Sequence, residues 1–97
     1  MADLLEEWMA YLQQDPYLFH LSKDAVVVDL LLKLDSEGGK SAHQVSEEMN
    51  LPYDRVKKKM EDLVHHSVLE KMQAGPRWIY FLSFKGKEFV ERYKKVH

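Results

Sequence analysis

The residues of this sequence with the clearest chemical potential are positively charged side chains, and they are concentrated in its second half. Residues 53–97 carry eleven Lys and Arg against six Asp and Glu, whereas residues 1–52 carry three against ten. The net charges of the two halves are therefore +5 and −7. The positive half contains Arg55, the run Lys57-Lys58-Lys59 and Arg77. A charge asymmetry of this kind is typical of a surface that binds a polyanion, although small proteins also acquire uneven charge by chance.

The adjacent residues His65 and His66 are a second chemical candidate, because histidine is a common metal ligand. Neighbouring side chains of a helix point about 100° apart, so the two rings rarely reach one ion. The acids four residues earlier, Glu61 and Asp62, form pairs more typical of a helix surface. The sequence has no cysteine and shows no Ser-His-Asp set or glycine-rich phosphate loop. We therefore expect no metal, no cofactor and no catalytic activity.

Length and composition indicate one small domain. The 97 residues, 45% of them apolar, suffice for a single core. The absence of cysteine fits a reducing compartment. The acidic N-terminus lacks the features of a signal peptide, and the apolar runs, such as Ala25 to Val28, are too short to span a bilayer. We expect a cytoplasmic protein without a membrane partner.

Hydrophobic spacing predicts a helix from Asp3 to Gln14, ahead of the cationic half. One stripe of this helix is strongly apolar. It consists of Leu4, Leu5, Trp8, Met9 and Leu12. Asp15-Pro16 ends the helix, since the residue before proline avoids helical geometry, and residues 17–21 are predicted as a packed connector. The sequence thus divides into an N-terminal segment, 1–21, and a domain over 22–97.

Two of the next three predicted helices have recognisable start signals. Ser22 is predicted to cap a helix over 23–34 that is apolar on several sides. Ser41 and Gln44 match a capping box at the start of a short helix over 41–49.

Asn50-Leu51-Pro52 breaks that short helix, and a further helix runs from 53 to 66. Two helices joined by three residues have the spacing of a helix-turn-helix.

The sequence period then changes to that of strands. Residues 68–72 and 78–82 predict an antiparallel pair around the turn 73–77, with Trp78 expected in the core. Ser83 is predicted to cap a final helix. The fold class is therefore mainly α with a small β-hairpin, a winged helix-turn-helix with an additional N-terminal helix.

Several stretches resemble the winged-helix regulators of bacteria and archaea, including the MarR and ArsR types. Residues 41–63 are similar to the helix-turn-helix of those proteins, and 68–71 to the start of their wing. Leu82-Ser83-Phe84-Lys85-Gly86 is similar to the leucine-threonine-any-lysine-glycine that follows the wing. The resemblance covers roughly residues 24–95. Three small polar residues depart from it where the family often has alanine or glycine: Ser46, Asn50 and Ser67.

The resemblance implies a DNA-binding transcription regulator. Its reading helix, 53–66, would enter the major groove of double-stranded DNA, and its wing, 68–82, would lie along the backbone. The implied contact residues are Tyr53, Arg55, Lys57, Lys58, Lys59 and Arg77. The alternative is a winged-helix protein–protein interaction module in a larger assembly. Acids on the reading helix (Asp54, Glu61 and Asp62) and the overall charge of −2 favour that alternative.

Regulators similar to this chain usually dimerise through terminal helices. That implies a homodimer through the apolar stripe of the first helix, alone or together with the last helix, with packing against the chain's own domain as the alternative. The sequence indicates neither an operator, nor an effector, nor the direction of regulation.

Overall fold

The computed structural model describes residues 3–97 as six α-helices and one three-stranded antiparallel sheet. The helices are α1 Leu4–Gln13, α2 Pro16–Ser22, α3 Ala25–Glu37, α4 Ala42–Met49, α5 Tyr53–His65 and α6 Phe84–Val96. The strands are β1 Lys40–Ser41, β2 Leu69–Ala74 and β3 Arg77–Leu82, in the spatial order β1-β3-β2. The predicted class, mainly α with a small hairpin, is confirmed. Within residues 3–97 no helix combines the length and apolar character that crossing a bilayer requires.

The segment predicted as a connector, 17–21, is instead part of a helix. Asp15 caps α2, since its carboxylate accepts the N–H of Tyr17 at 3.0 Å, and Pro16 occupies the first helical position. Proline is favourable there because that N–H has no partner inside a helix. Asp15-Pro16 therefore ends α1 and also begins α2.

Helix α3 also begins later than predicted. Asp24 caps it rather than Ser22, accepting the N–H groups of Val26 and Val27 at 3.1 and 3.2 Å. The Ser22 hydroxyl donates instead to the carbonyl of Phe19 at 2.7 Å. As predicted, α3 is buried on several sides, through Val27, Val28, Leu30, Leu31 and Leu34.

The helix-turn-helix follows its sequence signals closely. Ser41 and Gln44 form the predicted capping box. The backbone N–H of Gln44 donates to the Ser41 hydroxyl at 3.2 Å, and the backbone N–H of Ser41 donates to the Gln44 side-chain oxygen at 2.9 Å. Asn50 turns the chain in the left-handed conformation, φ 54°. The inner face of α5, Val56, Met60 and Leu63, is buried as predicted. The outer face of α5 is consequently turned away from the core.

Strands β2 and β3 form the wing, a hairpin closed by Gly75-Pro76 with Gly75 at φ 64°. The pairing runs from Leu69–Leu82 at the base to Ala74–Arg77 at the tip. Both strands are longer than predicted. The two-residue strand β1, which pairs with β3 through Lys40–Tyr80 and Ser41–Ile79, was not predicted because two residues carry no alternation.

Two positions that depart from the family resemblance have positive φ. Asn50 lies at 54° and Ser67 at 63°. Glycine is common at such sites because it has no Cβ to clash, and asparagine tolerates the conformation better than most residues. Ser67 keeps it at a cost of about 1 kcal/mol.

A single core joins all the helices to the sheet. The N-terminal helix contributes Trp8, whose ring centroid lies 5.5 Å from that of Phe89 and 5.9 Å from that of Tyr93, both on α6. The base of α6 is fixed to the start of the wing by Ser83, whose hydroxyl donates to the carbonyl of Val68 at 2.9 Å. Helix α1 therefore packs on α6, which is itself anchored at the base of the wing.

Gly86 is required by this junction. A Cβ added there would overlap the carbonyl oxygen of Val68. We expect Gly86→Ala to lower the free energy of unfolding by about 2 kcal/mol, because backbone rather than a flexible side chain must move. Urea denaturation measures the change, with Lys87→Ala, an exposed substitution in the same helix, as the control expected within about 0.5 kcal/mol of the parent. Equal stability of Gly86→Ala and the parent would contradict this packing.

Candidate nucleic-acid interface

The outer face of α5 and the tip of the wing lie side by side along one cleft, and together we call them the reading surface. It carries five of the six residues that the sequence analysis proposed as DNA contacts: Tyr53, Arg55, Lys57, Lys58 and Arg77. Arg55, Lys58 and Arg77 are exposed, whereas Tyr53 and Lys57 are half-buried. Tyr53, Lys57 and Arg77 line one cleft between α5 and the wing. Within residues 3–97 no carboxylate lies within ion-pair distance of the four cations in this set.

The sixth proposed contact, Lys59, is committed elsewhere. Its ammonium lies 2.9 Å from the carboxylate of Asp24, the cap of α3. Burial alone would raise the pKa of Asp24, but the Lys59 ammonium and the amides of α3 hold it below its ordinary value. Lys59 therefore fastens α5 to α3.

Glu61, an acid that seemed to oppose polyanion binding, is neutralised by the wing. Lys71 on β2 approaches its carboxylate at 2.7 Å, and the Tyr80 hydroxyl on β3 donates to the same group. The hydrogen bond from Lys71, followed by that from Tyr80, holds the pKa of Glu61 below its usual range. Burial and the adjacent carboxylate raise the pKa of the Tyr80 phenol. One carboxylate thus joins the reading helix to both strands of the wing.

Asp62 is likewise engaged, by the N-terminal part of the chain. The hydroxyl of Tyr17 on α2 donates to its carboxylate at 2.9 Å, and the His66 imidazole lies 3.9 Å away. Tyr17 also stacks on His66 with ring centroids 3.6 Å apart. The third acid, Asp54, lies in the first turn of α5, where the helix dipole stabilises a negative charge.

Trp78 is not the core residue that was predicted. Its side chain is 41% exposed, although the residue two positions further along β3, Tyr80, is buried. Both residues point to the same face of the sheet, but Trp78 lies nearer the tip, beyond the helices that cover Tyr80. Its ring lies 4.9 Å beneath the ammonium of Lys71 and lines the cleft with Arg77. Sequence reasoning missed its neighbour His43, which stacks on Tyr53 with centroids 4.2 Å apart.

The histidine pair does not form a metal centre with other ligands. The His65 and His66 rings meet edge to face, at 89° and 5.2 Å between centroids. Over residues 3–97 no group of three or more potential metal-binding side chains is close enough to hold an ion.

The residues proposed for dimerisation separate into two groups. Trp8 and Leu12 are 5% and 2% exposed and belong to the chain's own core. Leu4, Leu5 and Met9 are 51%, 54% and 39% exposed on the other side of α1. Only these three are available to a second molecule.

Comparison with known proteins supports the fold. No protein-family model and no functionally curated protein matches the sequence. Solved structures do match. A transcriptional regulator from Thermotoga maritima superposes with a TM-score of 0.72 at 18% identity, over 95% of this chain and 62% of its own. A MarR-family transcription regulator superposes with a TM-score of 0.70 at 13% identity, over 95% of this chain and 62% of its own.

A third similar structure is a mutant of TubR, a type III plasmid segregation protein, with a TM-score of 0.71 at 18% identity. The superposition covers 98% of this chain and 93% of the segregation protein. The present chain thus spans less than two thirds of the two regulators but nearly all of the segregation protein. These likenesses establish a winged helix-turn-helix fold of the kind found in MarR-family regulators.

The Glu61 contacts predict a pH-dependent contribution to stability. Because the pKa of Glu61 in the folded chain lies below its ordinary 4.5, its carboxylate stabilises the fold above that pH, and the contribution is lost as the pH falls through the folded-state value. We expect Glu61→Gln to be less stable than the parent by about 1 kcal/mol near neutral pH, with the difference narrowing in acid. Urea denaturation across an acid series measures this, with the exposed Glu91→Gln as control. A difference that does not narrow would contradict the assignment.

Proposed function

We propose that this chain binds double-stranded DNA through the reading surface and acts as a transcription regulator. One observation carries the proposal. Four cations on that surface, Arg55, Lys57, Lys58 and Arg77, have no ion-pair partner within residues 3–97, whereas the acids Glu61 and Asp62 are engaged by other elements. Unpaired cations on a protruding helix and hairpin are what a phosphate backbone requires.

The shape of the reading surface supports the same conclusion. Helix α5 presents an outer face that nothing in the described chain covers, and an α-helix fits the major groove of B-DNA. The wing lies beside α5, held by Glu61, so its tip is placed to follow the adjacent backbone. The acidic half of the chain, with its net charge of −7, supplies α1, α2, α3 and α4. The first four helices therefore carry the excess of negative charge, and the excess of positive charge falls on α5, the wing and α6.

The similar structures favour regulation of transcription, since two of them are described as transcription regulators. The near-complete match to a plasmid segregation protein favours a second setting, DNA segregation, for the same surface. Both settings lie in the compartment that holds the DNA, which agrees with the cytoplasmic location expected from the sequence. A promoter–reporter assay and a plasmid-retention assay in the source cell distinguish them.

Charge reversal on α5 tests duplex binding. We expect the parent to bind a labelled mixed-sequence duplex with an affinity that falls steeply with salt, at a log–log slope of about −3 to −4 per protomer for four phosphate contacts. Lys57→Glu combined with Lys58→Glu should weaken binding more than tenfold and halve the slope. Fluorescence anisotropy gives both quantities, and thermal unfolding should change little.

The matched control for this experiment is Lys23→Glu combined with Lys87→Glu, which changes the net charge equally at two exposed positions outside both the reading surface and the groove between α1 and α6. It should bind nearly as the parent does. If the parent binds no duplex at low salt, the regulator proposal fails and the interaction-module alternative is favoured. If both double variants lose affinity equally, the binding is not at the reading surface.

We further propose that the chain forms a homodimer through the exposed side of α1. Leu4, Leu5 and Met9 leave an apolar strip there. Beside this strip, a groove between α1 and the end of α6 is lined by Glu7, Arg92 and Lys95 among others. These three charged side chains form no ion pair within residues 3–97. A surface with both signs of charge around an apolar strip is self-complementary, as a two-fold interface requires.

Light scattering after size-exclusion chromatography tests the dimer. We expect the parent to have twice the mass of one chain, and Leu5→Glu combined with Met9→Glu to be monomeric, because burying two carboxylates in the interface is unfavourable. Phe84→Glu, which alters a side chain that is 85% exposed elsewhere on the surface, should leave the dimer intact. A monomeric parent at micromolar concentration would contradict the proposal.

A further inference from the structure

The cleft between the helix-turn-helix and the tip of the wing has features that the general DNA-binding proposal does not use. It is lined by side chains from α4, α5 and β3. These include His43, Tyr53, Lys57, Arg77 and Trp78. One wall is the stacked pair His43–Tyr53, whose ring planes are 19° apart. The other wall is the half-exposed Trp78, so the cleft is narrow, flanked by aromatic rings and open to the reading surface.

The lining of the cleft includes two cationic side chains and no carboxylate. Lys57 and Arg77 form no ion pair within residues 3–97. Lys71, whose ammonium lies over the Trp78 ring, is paired with Glu61. The His43 imidazole donates and accepts no hydrogen bond among the described residues and is exposed. A ligand with several acceptor oxygens and a negative charge would satisfy these groups together.

Side chains from three elements, α4, α5 and β3, surround His43. Tyr53 and Lys57 lie beside it on α5, Arg77 faces it across the cleft, and Glu47 follows it by one turn on α4. Lys57 and Arg77 thus place two positive charges at the cleft beside the ring, and Glu47 is a carboxylate on its own helix. An anion bound in the cleft would compensate these two charges and would favour a positive charge on the imidazole as well.

We infer that the cleft seats a backbone phosphate of the bound duplex and that His43, protonated, is one of its ligands, so that DNA binding takes up a proton. This inference rests on the proposed function. An imidazolium donates a charge-assisted hydrogen bond to a phosphate oxygen, whereas neutral imidazole contributes no charge. Lys57 and Arg77 supply the remaining charge, and the Tyr53 and Trp78 rings contact the adjoining sugars. Duplex affinity therefore rises as the pH falls through the histidine range.

The test compares duplex affinity at about pH 6 and about pH 8, at equal ionic strength, for the parent, His43→Gln and His97→Gln. The parent should bind about tenfold more tightly at the lower pH, and His43→Gln should show almost no pH dependence. His97→Gln is the matched control, since that ring stacks on Tyr93 outside the cleft, and it should behave as the parent. At the lower pH only, His43→Gln should also reduce the salt slope by about 0.9, the value for one phosphate contact.

Trp78 provides an independent readout in the same titrations. Duplex should quench the fluorescence of the parent and leave that of Trp78→Phe nearly unchanged, because the other tryptophan, Trp8, is buried against α6. A parent that binds duplex equally at both pH values, or a His43→Gln variant that keeps the pH dependence, would overturn the phosphate site but not the DNA-binding proposal. Failure of every variant, including the parent, to bind duplex would instead refute the proposed function.

Discussion

The carboxylate of Glu61 is the contact on which the geometry of the reading surface depends. A two-stranded hairpin is marginal by itself, and the outer half of this wing has no helix above it. Glu61 accepts hydrogen bonds from Lys71 on β2 and from the Tyr80 hydroxyl on β3, so both strands are fixed relative to α5 at one point. The cleft and the position of Arg77 follow from that junction. The same contacts compensate a negative charge that would otherwise face the ligand.

Three polar residues of α5 are used in this way, each toward a different neighbour. Lys59 joins α3 through Asp24, Glu61 joins the wing, and Asp62 joins α2 through Tyr17. These residues diverge around the helix because successive residues turn by about 100°. The helix is therefore held by charged contacts on its flanks and by apolar contacts beneath. Its remaining cations, Arg55, Lys57 and Lys58, are left without internal partners, which explains how a chain of net charge −2 presents a cationic surface.

The features that sequence reasoning predicted correctly are those specified by neighbouring residues. The Ser41–Gln44 capping box, the turn at Asn50 and the Ser83 cap each depend on groups at most three positions apart. The Asp15 and Asp24 caps were missed although they are local, because Ser22 and the apolar segment 17–21 fitted another interpretation equally well. The other features that it missed depend on distant partners. Tyr17 and Asp62 are 45 positions apart, and Asp24 and Lys59 are 35 apart. No local pattern shows that Lys59 is already paired, that Asp62 is engaged, or that Trp78 extends beyond the core.

The division of the chain into an acidic and a basic half gives the central claim, that α5 and the wing bind a DNA duplex, a direct test. The most direct measurement is the change in backbone amide chemical shifts of isotope-labelled protein on addition of a duplex. The largest changes should fall on the first turn of α4, on α5 and on the tip of the wing, while the surface of α1 and the end of α6 remain unchanged. Largest changes on α1 and α6, or no change at low salt, would contradict the claim.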